Sequence, residues 1–168
     1  MKQKHITKGF TLIEVLLSLT IFSILISGSS FLLLESLQIR ASVESVAEID
    51  FQGTQILHVI TEQIRNADSI SSPLPGTNSS SLTLSNNLQN SIFTLFGTSL
   101  IMAEGFGPFA ALNSSRVAVE NITFENRSRP GTPGTIRISL TLSHYNPENR
   151  TEFDVTKTFV TSASIRTP

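Results

Sequence analysis

The chain has 168 residues, a formal net charge of −1 and no cysteine. That length holds one domain plus an anchor, and the near-neutral charge excludes a whole-chain electrostatic footprint for nucleic acid. The missing thiol excludes disulfides, thiolate metal sites, a cysteine nucleophile and a lipidated cysteine.

Basic residues cluster at the start. Lys2, Lys4 and Lys8 precede a dense apolar block, and without residues 1–9 the remainder carries nine basic against thirteen acidic groups. This is the asymmetry of a cytoplasmic flank. Residues 15–34 then contain no charge. As a helix they span about 30 Å, the thickness of a bilayer's hydrocarbon. Ser18, Thr20, Ser23 and Ser27 are tolerable there because a hydroxyl bonds back to the carbonyl one turn earlier. Gly28-Ser29-Ser30 is a point where such a helix bends or thins.

Three ordinary readings compete for this segment. A secretory signal peptide fits the basic start and the small-residue cluster at 27–29, but the apolar run resumes at Phe31 and is long for such a peptide. A plain signal anchor fits the run and leaves Glu14 unexplained. The third reading addresses Glu14 itself: Thr11 caps the helix and Glu14, three residues on, reaches back to its N–H as a capping box. A carboxylate at mid-bilayer costs roughly 2.5–3.5 kcal/mol, so a residue of this kind usually has a partner.

Lys8-Gly9-Phe10-Thr11-Leu12-Ile13-Glu14 resembles the prepilin cleavage and methylation motif of type IV pilins and type II secretion pseudopilins. In that family a basic leader ends in glycine, a membrane peptidase cuts after it and methylates the new N-terminus, and the fifth mature residue is usually glutamate. The resemblance implies cleavage between Gly9 and Phe10, N-methylation of Phe10, and a role for Glu14 in assembly and register. It implies as partners other pilin or pseudopilin subunits, prepilin peptidase, an inner-membrane assembly platform, and membrane lipid before assembly. The expected placement is a single pass through the cytoplasmic membrane, N-terminus in the cytoplasm and head outside, then incorporation into a filament. Pairing the Phe10 ammonium of one subunit with the Glu14 of another offsets the cost of burying each charge. One departure is the missing proline that kinks many pilin helices. No proline occurs between residues 10 and 72.

Helical spacing continues through Ile39, Val43, Val46, Gly53, Leu57, Ile60, Ile64 and Ala67, so one helix is expected from about residue 11 to 67 or 68. Residues 71–81 (SSPLPGTNSSS) carry loop chemistry. From Leu82 the pattern is β: Leu82 and Leu84 alternate with Thr83, residues 92–96 form a short apolar run, and Val117, Val119, Ile122 and Phe124 suggest a strand with one irregularity. Ile136, Ile138, Leu140 and Leu142 alternate with polar residues, and Phe153, Val155 and Phe159 are read as one face of a last strand. Turns are placed at 129–134 and 146–149, and residues 103–109 are not assigned. The expected fold class is α+β and pilin-like: a long N-terminal helix packed on an antiparallel sheet of four to six strands. The expected divisions are 1–9 leader, 10–34 membrane or filament-core half, 35–70 amphipathic half and 71–168 β-rich head. The end of the helix, the late strands and the C-terminus resemble minor pilins and J-class pseudopilins, and no cysteine pair closes a C-terminal loop as in many major pilins.

The sequence offers no catalytic pattern. His5, His58 and His144 are scattered, Gly105-Phe106-Gly107 lacks a phosphate-binding continuation, and Asp50, Asp68 and Asp154 lack calcium-loop spacing. No enzyme, no cofactor, no metal and no direct nucleic-acid site is expected. The function expected is a structural, minor subunit of a type IV pilus, type II secretion pseudopilus or DNA-uptake filament. The alternative is a signal-anchored surface receptor or adhesin that binds through its β domain.

Overall fold

The computed structural model describes residues 11–86, 89–148 and 150–166. The expected cut site at Gly9 and Phe10 lies outside them. The chain divides into two compact units, with the boundary between Arg40 and Ala41.

Helix α1 runs Leu12–Asn66. It is uninterrupted for 55 residues because no proline removes a donor and its only interior glycines are Gly28 and Gly53. Gly28-Ser29-Ser30 is helical throughout. The Ser18, Thr20, Ser27 and Ser30 hydroxyls donate back to carbonyls one turn earlier, so these polar groups need no outside partner. The last turn is stopped by tertiary bonds. Arg166 N–H donates to the Arg65 carbonyl and the Asn86 amide to the Asn66 carbonyl, satisfying acceptors that a helix end leaves open.

Among the described residues nine strands follow, all antiparallel, in two sheets rather than the single sheet expected. The first, in order β1-β3-β4-β5-β6, joins β1 (Ser69–Ser72), β3 (Leu82–Ser85), β4 (Ser91–Phe96), β5 (Ser99–Glu104) and β6 (Ala110–Ala111). The second, in order β2-β7-β8-β9, joins β2 (Asn78–Ser79), β7 (Val117–Asn126), β8 (Thr135–His144) and β9 (Thr156–Ser164). The segment read as plain loop thus supplies pieces of both sheets: β1 pairs with β3, and β2 pairs with β7. Strands this short carry no alternation that a sequence pattern reveals.

The irregularity in β7 is a bulge. Pairing with β8 shifts between Val119 and Asn121. The extra residue, Glu120, switches the buried parity from Val117 and Val119 to Ile122, Phe124 and Asn126. In β8 the alternation holds, with Ile136, Ile138, Leu140 and Leu142 all buried. The last strand is shorter than expected. Phe153 ends a single 3-10 turn, Thr151–Phe153, and Val155 lies before β9, so of the three residues read as one face only Phe159 is in the strand.

One core unites the second unit. Ile49, Ile56, Ile60 and Ile64 of α1 pack with Leu82, Leu84, Phe93 and Leu100 from the first sheet and with the buried residues of β7 and β8 from the second. Each such side chain contributes roughly 1.5–3 kcal/mol of transfer free energy. The helical stripe is partly corrected. Gly53, Ile60, Ile64 and Ala67 face inward as expected, but the upper part of the stripe is Ser45, Ile49 and Ile56. Val43 and Val46, like Ile39 in the first unit, are exposed. Both sets obey helical spacing, and the buried face is chosen by what meets the sheets. At Gly53 an added Cβ would stand 2.5 Å from the Phe159 ring, so the strand β9 side chain occupies the space a larger helical residue would need.

Two asparagines stitch the strands and loops. Asn113 accepts from Leu100 N–H, and its amide nitrogen lies 2.6 Å from the Val117 carbonyl and 3.3 Å from those of Thr98 and Ser114, joining β5 to β7. Asn126, 1% exposed, donates to the Pro73 carbonyl at 2.7 Å and accepts from Ser128 N–H. It ties the 73–77 segment to the end of β7. Asn126→Ala strands a buried carbonyl and an N–H. It is expected to cost about 2–3 kcal/mol, read as a lower denaturant midpoint with an unchanged slope.

Candidate functional site

The site begins with what surrounds the first part of α1. No residue from 11 to 39 is buried. Leu12, Ile13, Leu17, Phe22, Ile24, Phe31 and Leu32 are each more than half exposed. An 18-residue window of the helix reaches a mean hydropathy of 2.1 and has none of its residues buried. A helix apolar all round its circumference has one stable setting, an apolar surrounding of lipid or of other helices.

Glu14 sits in the first turn of this segment. Its N–H and that of Val15 donate to the Thr11 carbonyl at 3.1 and 3.3 Å. Its own carbonyl accepts from the Ser18 hydroxyl at 2.8 Å. The backbone is therefore satisfied locally, while the exposed side chain projects from a helix otherwise free of charge until Glu35. The carboxylate is an acceptor only, and a positive charge held next to it is the chemistry that would favour it in an apolar layer.

The β-rich unit shows no competing reactive constellation. Among the described residues no group of three or more His, Asp or Glu side chains converges as a metal site. His58 lies on the helix surface 3.9 Å from Glu62. His144 is brought to Phe153, with ring centroids 5.1 Å apart and planes 16° from parallel. The Arg150 guanidinium lies over the same Phe153 ring at 5.1 Å. His144 and Phe153 help line a groove of about 320 Å³ with Ala41, Glu44, Glu48 and Arg116. His144 Nδ1 is buried without a hydrogen-bond partner. No spacing pattern announces this grouping, since the members come from the helix, the loop before β7, the end of β8 and the 3-10 turn.

Residues 5–30 match the family model of the prokaryotic N-terminal methylation motif. No characterised protein and no solved structure matches the chain. The matched stretch covers Lys8, Gly9, Phe10, Glu14 and most of the uncovered apolar helix. It implies processing by prepilin peptidase, assembly with other pilin subunits and a structural rather than enzymatic role. Motif and apolar helix together fit a pilin anchored in the inner membrane. The motif is of the kind that marks type IV pilin and pseudopilin prepilins, and here one long helix and antiparallel sheets follow it.

Proposed function

We propose that the chain is a minor subunit of a type IV pilus or type II secretion pseudopilus, cut after Gly9, N-methylated on Phe10 and assembled through its N-terminal helix. The observation that carries this reading is the uncovered apolar segment with one carboxylate, Glu14, in its first turn, inside the matched methylation motif. Cleavage after Gly9 creates a cation on Phe10. Placed near a neighbour's Glu14, that cation offsets the cost of holding a carboxylate away from water. The charge pair then selects one axial register among helices whose remaining surface is uniformly apolar, as a single polar residue does at a coiled-coil seam. The lysines before Gly9 keep the leader on the cytoplasmic side, and the head stands on the other. A minor rather than major role is supported by the absence of any cysteine to close a C-terminal loop and by the resemblance of the helix end and late strands to minor pilins.

Mass spectrometry of the mature chain tests the reading. The expected N-terminus is methylated Phe10. An intact Met1, or a cut near Ser29, overturns it and favours a signal-anchored binding protein.

A further inference from the structure

The second unit has one end that α1 reaches last, roughly 35 Å along the helix from Ala41. Main-chain bonds lay four segment ends side by side there. Arg166 N–H donates to the Arg65 carbonyl at 3.1 Å, Ile165 N–H to the Gly134 carbonyl at 2.8 Å, and Arg127 N–H to the Thr135 carbonyl at 2.8 Å. The end of α1, the chain past β9, the start of β8 and the end of β7 thus form one rim. At strand spacing it is roughly 15 Å across.

This rim gathers arginine. Arg65, Arg127, Arg129 and Arg166 stand on it, Arg137 lies two residues into β8, and all five are exposed. The acidic groups in the same segments are Asp68 and Glu125. Without residues 1–9, the rest of the chain then carries four basic against eleven acidic groups, so the positive charge is concentrated at one end of an acidic protein. Glu125 holds two of the five, with Arg127 Nε at 3.0 Å and Arg137 at 4.0 Å. Arg65, Arg129 and Arg166 make no ion pair with a described residue. Thr135 and Ser164, paired across β8 and β9, add hydroxyls in the same place.

We propose that this arginine rim is a docking surface for the phosphodiester backbone of double-stranded nucleic acid, read without regard to sequence. Guanidinium forks match phosphate oxygens, and hydroxyls supplement them in backbone contacts. The rim is comparable in width with the roughly 12 Å major groove of a duplex, so phosphates on both borders of the groove come within reach. Residues 65–66, 127–135 and 164–166 contain no aromatic side chain. That argues against a single strand, whose bases need rings to stack on. It also argues against a protein partner, whose interface is built round an apolar core: of the large exposed apolar side chains, Leu74 alone is tied to this end, through the bond from the Asn126 amide to the Pro73 carbonyl. The near-neutral chain excludes a footprint over its whole surface, and no run of basic residues led to the expectation of a nucleic-acid site. The fold assembles one locally from positions as far apart as 65 and 166. This goes beyond the filament reading and does not depend on it.

The test uses the full chain, purified from its membranes in a neutral detergent, and a short fluorescent duplex of mixed sequence. Anisotropy is titrated between about 50 and 200 mM salt. Contact with about three to five phosphates is expected to weaken with a log–log slope of roughly −2.5 to −4.5. Arg65→Gln/Arg129→Gln/Arg166→Gln should flatten that slope by about 2.7 and lower the affinity at least about a hundredfold at the low-salt end. Glutamine keeps every backbone donor, and an unshifted denaturant midpoint checks the fold. Arg40→Gln/Arg116→Gln/Lys157→Gln removes the same charge elsewhere. It should change the affinity less than about threefold at about 150 mM salt, where charges more than ~8 Å away are screened. Glu125→Gln releases Arg127 and Arg137 and should tighten binding about tenfold, a gain that misfolding cannot produce. The proposal is overturned if the native chain ignores the duplex at about 50 mM salt, if the two triple variants lose equally, or if Glu125→Gln binds no tighter. It is also overturned if the rim captures polyglutamate or anionic-lipid vesicles and leaves the duplex free. The mass of the N-terminus in the same samples bears on the filament reading alone.

Discussion

Glu14→Ala is expected to abolish incorporation into filaments, by at least about two orders of magnitude, while the chain still accumulates in the membrane with a normally folded head. The direction follows from where the residue stands. Its side chain is exposed in the first turn of α1, in the unit that contains no buried residue up to position 39, so nothing in the core of the second unit depends on it. Removing a carboxylate makes the segment easier to hold in lipid, since an acidic group costs roughly 2.5–3.5 kcal/mol at the bilayer centre. Stability of the anchored subunit therefore does not fall. What falls is the preference for one helix register, because a neighbour's Phe10 ammonium in an apolar layer has lost the charge that compensates it. Glu14→Gln separates this from a local role. Glutamine serves a capping box as well as glutamate does, so if Glu14 only capped the helix begun at Thr11, Glu14→Gln would assemble normally. Charge pairing predicts that Gln fails nearly as badly as Ala. The measurement is the ratio of sheared filament subunit to membrane subunit, and a ratio equal to that of the native chain for both variants removes the pairing argument.

How much of this was visible in the residues depended on the length of each pattern. The 55-residue helix was legible because hydropathy, the absence of proline and helical spacing all agreed over many turns. Strand β8 was legible because four alternating buried aliphatics leave one choice of face. The failures have particular causes. Val43 and Val46 satisfy the same spacing as Ile49 and Ile56, and only the packing of the sheets decides between the two faces. Strands β1 and β2 lie in a Ser/Pro/Gly-rich segment, where pairing partners from β3 and β7 override a composition that reads as loop. Phe153 has the right parity for a strand and is drawn instead into a turn, where it stacks on His144. The methylation motif matched at residues 5–30 was readable from Gly9, Phe10 and Glu14 together. The groove of Phe153 was not, because its residues lie up to 112 positions apart in sequence and share no spacing rule.

Gly9→Val is expected to leave the chain at full length, with Lys2, Lys4 and Lys8 still attached and no methylated amine on Phe10. Glycine at the scissile position leaves the backbone bare, so a peptidase can approach both faces of the bond. A β-branched side chain fills that space and is stiff about χ1, so it cannot swing aside. Gly9→Ala adds one methyl group and should be cut more slowly rather than not at all. The consequence for assembly then follows without a further assumption. An uncut chain has an amide where the Phe10 ammonium should be, so Glu14 of the neighbour has nothing to pair with. The charged leader would also have to enter an apolar layer. Gly9→Val and Glu14→Ala thus remove opposite ends of one interaction, and effects of this kind do not add. Combining them should lower filament yield no further than Gly9→Val does alone, although the two single variants differ by nine residues in mass. Intact mass measurement together with filament yield checks both parts. Normal maturation of Gly9→Val would move the cut site away from Gly9. An additive loss in the double variant would mean that Glu14 answers to a partner other than the new N-terminus.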